Sequence, residues 1–420
     1  MFQKTVLDNS IRIITEKNPS RTVSVGIWVD VGSRDEQEAN NGCAHFVEHM
    51  LFKGTARRSA TRIAQELDML GGMSNAFTSS DTTCFYATVL DDKLYQLMDL
   101  LADLFLNSVF DQKEVERERE VVLQEISMVE DTPDDRVHEI FTSQIWGGHP
   151  LGHTVLGRRE VVAAMDSGML LDYVERFYTP DKIVIAAAGN LDHGEFCRFW
   201  QKALAEFTRS SHNRPQREKP QSLPSVRKVY KKPLEQLHMV LGSYGLPMVS
   251  AERYHLYLLN IMLGGNMSSR LFQEVRERHG LAYSVYSYVS SFIDSGYLGI
   301  YLGMDPGSAN KALELIAREI ASLRQGHISK EELANAKDYA KAGVFLAAEN
   351  MESRMTRIAR NELSFGRYID FDEVVAGFDK VGLDDIVGMA EYVFAKPLFA
   401  AAIGPIRTAD VAWQPLDMRL

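Results

Sequence analysis

The chain has 420 residues, 45% of them hydrophobic and 25% charged, with a formal net charge of -11. That length exceeds one ordinary domain and points to two of roughly 200 residues. The composition is that of a soluble globular protein, and the acidic balance argues against a nucleic-acid partner while suiting basic peptides.

The opening Met-Phe-Gln-Lys-Thr-Val has no apolar signal core and lacks the Arg/Ser-rich character of a transit peptide. No run of about 18 apolar residues occurs, so no membrane span is expected. Three cysteines, Cys43, Cys84 and Cys197, form no disulfide framework and suggest a reducing compartment. A cytoplasmic bacterial protein is the expectation.

Residues 22–32 alternate Val23, Val25, Ile27, Val29 and Val31, the pattern of a half-buried strand. Asn40, Asn41 and Gly42 then make a turn, and Lys53-Gly54 closes the following segment, so a short helix is predicted over 42–52. Val47, Met50, Leu51 and Phe52 supply its packing. It carries His45-Phe46-Val47-Glu48-His49, an H-x-x-E-H pattern that reverses the commoner H-E-x-x-H. Imidazoles four residues apart share one helix face. Such a pair can hold zinc, and Glu48 between them can take a proton from water. Pairs of this spacing also arise by chance, so the reading depends on its context. Cys43 lies about 200° around the helix from His45 and reads as a packing residue.

Ile63, Leu67 and Leu70 mark a second helix, and residues 73–90 read as a strand pair. Leu94, Leu97, Leu101 and Leu104 define a further helix. Asp111-Gln-Lys-Glu114 reads as a capping box opening another. On that helix Glu118 and Glu125 are seven residues apart and share a face. A catalytic zinc needs a third protein ligand. Glu125 is the candidate, with Glu118 orienting a histidine. Spacing alone does not separate Glu125 from the solvent-facing carboxylates around it. An irregular stretch with Pro133, Pro150 and several glycines follows, and residues 182–190 close the half as a strand.

Residues 209–225 contain Pro215, Pro220 and Pro224 with no hydrophobic period, and read as a linker. The second half then repeats the first at an offset of 215. Val25 corresponds to Val240 and Gly189 to Gly404, and the 297–302 strand and 309–323 helix follow nearly the same offset. The expected architecture is α+β: two tandem homologous domains, 1–208 and 226–420, each a mostly antiparallel sheet packed with helices. The offset carries His45, Glu48 and His49 onto Asn260, Leu263 and Gly264, which cannot form the same metal site. One zinc per chain, in the first domain, is expected.

These motifs resemble the pitrilysin family of inverzincin zinc peptidases, and most nearly its mitochondrial processing peptidase β subunits and their bacterial relatives. The family has H-x-x-E-H and then a Glu 76 positions after the second His, which falls on Glu125 within Val121-Val122-Leu123-Gln124-Glu125-Ile126. Its additional active-site Glu falls on Glu118. The stretch from Gly71 to Ser79 resembles the family's edge strand beside the zinc, which implies substrate contacts at Ser74, Asn75, Ala76 and Phe77. In the second half Ser269-Arg270-Leu271-Phe272 and Gly280-Leu281-Ala282-Tyr283-Ser284 carry the likeness on. Residues alone read Arg276 as a helix-end cation and Tyr283 as a core ring. The resemblance implies instead that this pair donates hydrogen bonds near the scissile carbonyl.

The resemblance therefore implies a zinc metalloendopeptidase acting on peptides or unfolded polypeptides. His45, His49 and Glu125 hold one zinc, and Glu48 is the general base. It also implies a homodimer enclosing a chamber, with Arg276 and Tyr283 acting across the dimer. The rival reading is a non-catalytic, processing-peptidase-like assembly subunit. Such subunits usually carry broken metal motifs.

Overall fold

The computed structural model describes residues 1–209 and 216–418. They fall into two compact units. The first comprises Met1–Met128, His153–Glu218 and Leu346–Ile369, and the second Val129–Gly152, Lys219–Phe345 and Asp370–Leu420.

In the first unit, β1 (Phe2–Val6), β2 (Arg12–Lys17), β3 (Thr22–Val29), β4 (Met73–Thr78), β5 (Thr83–Leu90) and β6 (Ile183–Gly189) form one sheet in the order β1-β2-β6-β3-β5-β4. Only β2 and β6 run parallel; every other neighbour pair is antiparallel. Strand β6 reads as an unbroken apolar run because both of its faces are covered. On one face Val25, Ile27 and Ile185 pack against helix α1 (Cys43–Leu51) and helix α3 (Leu94–Asn107), with α2 (Ala60–Leu70) nearby.

The second unit repeats the plan. Here β7 (Arg227–Lys231), β8 (Leu237–Tyr244), β9 (Ala282–Ser291), β10 (Gly296–Met304) and β11 (Phe399–Gly404) stand in the order β7-β11-β8-β10-β9. The parallel pair is β7 with β11, so the five strands match β2, β6, β3, β5 and β4 in position. Val25 opposes Ala187 and Val240 opposes Ala401, which keeps the sequence repeat to within one residue. Two homologous α+β sheets packed with helices are what the repeat led us to expect.

The compact units differ from the continuous stretches 1–208 and 226–420. Each contains one helix from the other half of the chain. The Met351–Phe365 helix covers the second face of the first sheet, where Met355, Ile358 and Ala359 pack on Ile14, Trp28, Val184 and Ala186. Helix α5 (Pro133–Trp146) covers the corresponding face of the second sheet, placing Phe141, Ile145 and Trp146 against Val240, Tyr301 and Ala401. The sequence reading took the stretch holding Pro133 as irregular, and this is corrected. Pro133 occupies the first turn of α5, where a missing N–H costs nothing and its fixed φ suits the helix.

Of the expected linker, residues 210–215, including Pro215, lie outside the described residues. Its next part is not a free connector. Arg217 is largely buried in the first unit, with Nη1 2.9 Å from Asp30 Oδ1 and Nη2 2.7 Å from Asp35 Oδ2. No helix among the described residues is long and apolar enough to cross a membrane.

Candidate metal centre

Helix α1 starts sharply for identifiable reasons. Gly42 is its N-cap at φ 101°, and a Cβ there would lie 2.8 Å from Gly157 Cα and 2.9 Å from Leu156 O. A side chain is excluded by both conformation and space. The buried Glu36 completes the start. Its Oε2 accepts from Gly42 N at 2.8 Å and Asn41 Nδ2 at 3.0 Å, and its Oε1 from Ala44 N at 2.6 Å. A carboxylate at a helix N-terminus meets both free N–H groups and the positive dipole end. Burial pushes the Glu36 pKa up to about 8, against the pull of those donors. Phe46, Val47, Met50 and Leu51 then bury the core face. Cys43 is buried too, with Sγ 3.9 Å from Met165 Sδ.

Helix α4 (Gln112–Asp131) is opened by Asp111, whose Oδ1 accepts from Lys113 N at 3.0 Å and Glu114 N at 3.3 Å. Val115, Val122 and Ile126 anchor it in the core. Glu118 is also buried, while Glu125, two turns on, keeps a third of its side chain exposed.

The two helices bring three donor atoms together. His45 Nε2 and His49 Nε2 are 3.2 Å apart, and Glu125 Oε2 lies 3.6 Å from the first and 3.5 Å from the second. Tetrahedral zinc with bonds of about 2.0–2.2 Å sets neighbouring donors about 3.3–3.6 Å apart. The triangle therefore fits that ion, and the donor set of two imidazoles and one carboxylate suits its chemistry. It is the one such triad of ligand atoms among the described residues.

Surrounding groups fix the triangle. Glu118 Oε1 is 2.8 Å from His49 Nδ1, and its Oε2 is 2.6 Å from Lys53 Nζ. A carboxylate accepting the Nδ1 proton leaves the Nε2 lone pair free for a metal. Burial works to raise the Glu118 pKa, but the bonds from His49 and Lys53 outweigh it and hold the group ionised. For His49 burial works downward, and the Glu118 hydrogen bond with the Glu125, Glu118 and Glu48 carboxylates outweighs it, raising the pKa. His45 moves the other way, lowered to about 3 by burial and by His49. A neutral His45 is a competent ligand. Glu48 points to β4, where the Thr78 hydroxyl donates to Oε2 at 2.5 Å. Burial raises its pKa despite that bond.

Ser74, Asn75, Ala76 and Phe77 all lie on β4, an edge strand of the first sheet that among the described residues pairs with β5 alone. Arg276 and Tyr283 come together in the second unit. The Arg276 guanidinium lies 5.5 Å from the Tyr283 ring centre and 4.8 Å from that of Phe272. Tyr283 is 80% exposed on β9, so it is not a core ring. The sequence reading gave no site role to Lys53, Thr78 or Glu36. Lys53 lies four residues after His49, a helical spacing that offered a signal. The other two are brought in by strand and loop geometry that no spacing rule reveals.

Fold and donor set together define a duplicated α+β protein with a candidate zinc centre on its first unit. The chain belongs to peptidase family M16. Residues 12–159 match the family description "Insulinase (Peptidase family M16)" and residues 165–339 match "Peptidase M16 inactive domain". It is 40% identical to an uncharacterized zinc protease of Bacillus subtilis, across 96% of this chain and 98% of that one. An uncharacterized zinc protease of Mycobacterium leprae is 39% identical across 96% and 91%. Among solved structures, a protease from Helicobacter pylori shares the fold with a TM-score of 0.91, at 20% identity over 96% of this chain and 99% of that one.

Proposed function

We propose that this protein is a zinc-dependent metalloendopeptidase that cuts peptides or unfolded polypeptides. The observation that carries the reading is the triangle of His45 Nε2, His49 Nε2 and Glu125 Oε2, with Glu118 behind His49. The names of the relatives and the family support a peptidase that uses zinc.

In this reading His45, His49 and Glu125 hold one zinc ion. Bound there, zinc supplies a Lewis acid that brings the pKa of water from about 15.7 to about 7. Glu48 accepts the proton of the attacking water and returns it to the leaving amine. A carboxylate whose pKa is raised by burial is a stronger base than an exposed one, which suits it to take the proton. Thr78 fixes the direction of its lone pairs. The substrate lies extended along β4 at Ser74, Asn75, Ala76 and Phe77, adding a strand through backbone hydrogen bonds.

Arg276 and Tyr283 donate hydrogen bonds where negative charge develops on the scissile carbonyl. The family likeness supports pairing of two chains around a chamber, with this pair serving the partner chain's zinc. Mixing Glu48→Gln chains with Arg276→Ala chains then restores activity once subunits exchange. No recovery after verified exchange rejects that arrangement.

The direct test incubates the purified protein with a diverse peptide mixture and reads the products by mass spectrometry. Internal cleavage that a chelator abolishes, zinc restores and Glu48→Gln lacks is the expected result. A zinc-loaded, folded protein that cuts nothing overturns the reading.

A further inference from the structure

The face of the first sheet turned away from α1 carries an acidic group that the proposed mechanism leaves unused. Strand β4 is an edge, so a bound peptide strand continues its pleat. Thr78 reaches Glu48 on the α1 side. Asn75 and Phe77, of opposite parity, lie on the side covered by the Met351–Phe365 helix, where Phe77 packs beside Trp28 and Tyr86. Alternate side chains of an added strand therefore pass under that helix.

On this side Asn75 opposes Tyr86 in the β4–β5 register. The Tyr86 hydroxyl donates to Glu352 Oε1 at 2.7 Å. Glu352 sits in the first turn of the Met351–Phe365 helix and is half-buried. No lysine or arginine among the described residues forms an ion pair with it. Two arginines farther along the helix, Arg354 and Arg357, are engaged by Glu16. A half-buried carboxylate that holds one hydroxyl donor and no cation keeps lone pairs for further donors, and a cation reaching it from an open edge takes them.

We infer that Glu352 is a specificity-determining residue that selects a lysine or arginine side chain of the bound peptide, on the sheet face opposite His45 and His49. The inference rests on the proposed use of β4 as the substrate edge. The selected residue is one whose side chain alternates with those facing the metal centre.

The test uses synthetic peptides that carry Lys, Gln or Glu at each position in turn. kcat/KM is measured for wild type and for Glu352→Asp, Glu352→Gln and Glu352→Lys. Binding of the same peptides to zinc-loaded Glu48→Gln protein, with and without Glu352→Lys, is followed by fluorescence anisotropy. At one position Lys is expected to exceed Gln by about tenfold in wild type. Glu352→Asp keeps that preference, Glu352→Gln removes it and Glu352→Lys turns it toward Glu. Variants that share the wild-type profile while cutting and binding peptides overturn the inference and leave the peptidase reading intact. Selective binding that reverses in Glu352→Lys, with no cleavage by wild type, upholds the subsite and overturns the peptidase. Absence of any peptide binding overturns both.

Discussion

His49 is held from behind by Glu118. Its Nδ1 lies 2.8 Å from Glu118 Oε1 while its Nε2 faces His45 Nε2 at 3.2 Å. One ring thus meets a buried carboxylate on one nitrogen and the donor triangle on the other. Replacing that carboxylate by an amide in Glu118→Gln is expected to lower zinc affinity about 10–100-fold, the usual effect of losing such a partner. Competition against a chromophoric chelator measures it. An unchanged affinity would remove Glu118 from the account of the site.

Thr78 acts on Glu48 through a 2.5 Å hydrogen bond that works against the rise caused by burial. Thr78→Val removes the donor and keeps the shape, so the Glu48 pKa rises further. The acid limb of the pH profile of kcat/KM moves to higher pH if Glu48 is the base. A profile that stays in place, in a variant with normal zinc content, argues for a different base.

Zinc binding should release a proton near neutral pH. The neighbouring carboxylates raise the His49 pKa above its ordinary 6.5, so the apo protein carries that proton at slightly acid pH. A ligand must be neutral to bind. Below the raised pKa the apparent zinc affinity therefore falls about tenfold per pH unit, and above it the dependence flattens. Isothermal titration in buffers of different ionisation enthalpy counts the protons. Zinc uptake at pH 6 with no proton released would mean that His49 is already neutral there.

Much of the architecture was legible because the signals were local or repeated. The alternation in β3 and the H-x-x-E-H helix are each read from a short window, and the 215-residue offset from repetition across the two halves. The place of Glu125 was not legible from spacing, since its helix is crowded with carboxylates and only the crossing of α4 with α1 singles one out. Helix α5 was missed because Pro133 was taken as a breaker, whereas in the first turn it starts a helix. The exchange of α5 and the Met351–Phe365 helix had no sequence signal at all. Both are amphipathic, and amphipathicity names a buried face without naming the sheet that buries it.

That exchange makes each half of the chain incomplete. Met355, fully buried, accepts a hydrogen bond from Trp28 Nε1 at 3.3 Å and fills the centre of the second face of the first sheet. Met355→Ala is expected to cost about 2–5 kcal/mol, as for other large-to-small core changes. A fragment of residues 1–209 lacks the whole helix and leaves Ile14, Trp28, Cys84, Val184, Ala186 and Ala188 uncovered as one apolar face. A fragment starting at 216 lacks α5 and bares Val240, Tyr301, Phe399 and Ala401 in the same way. Exposed faces of this kind drive association. Each fragment alone is therefore expected to aggregate or bind a hydrophobic dye, and the two co-expressed to purify together with a cooperative melt. A monomeric, cooperatively melting 1–209 fragment would show that the first sheet does not need the Met351–Phe365 helix.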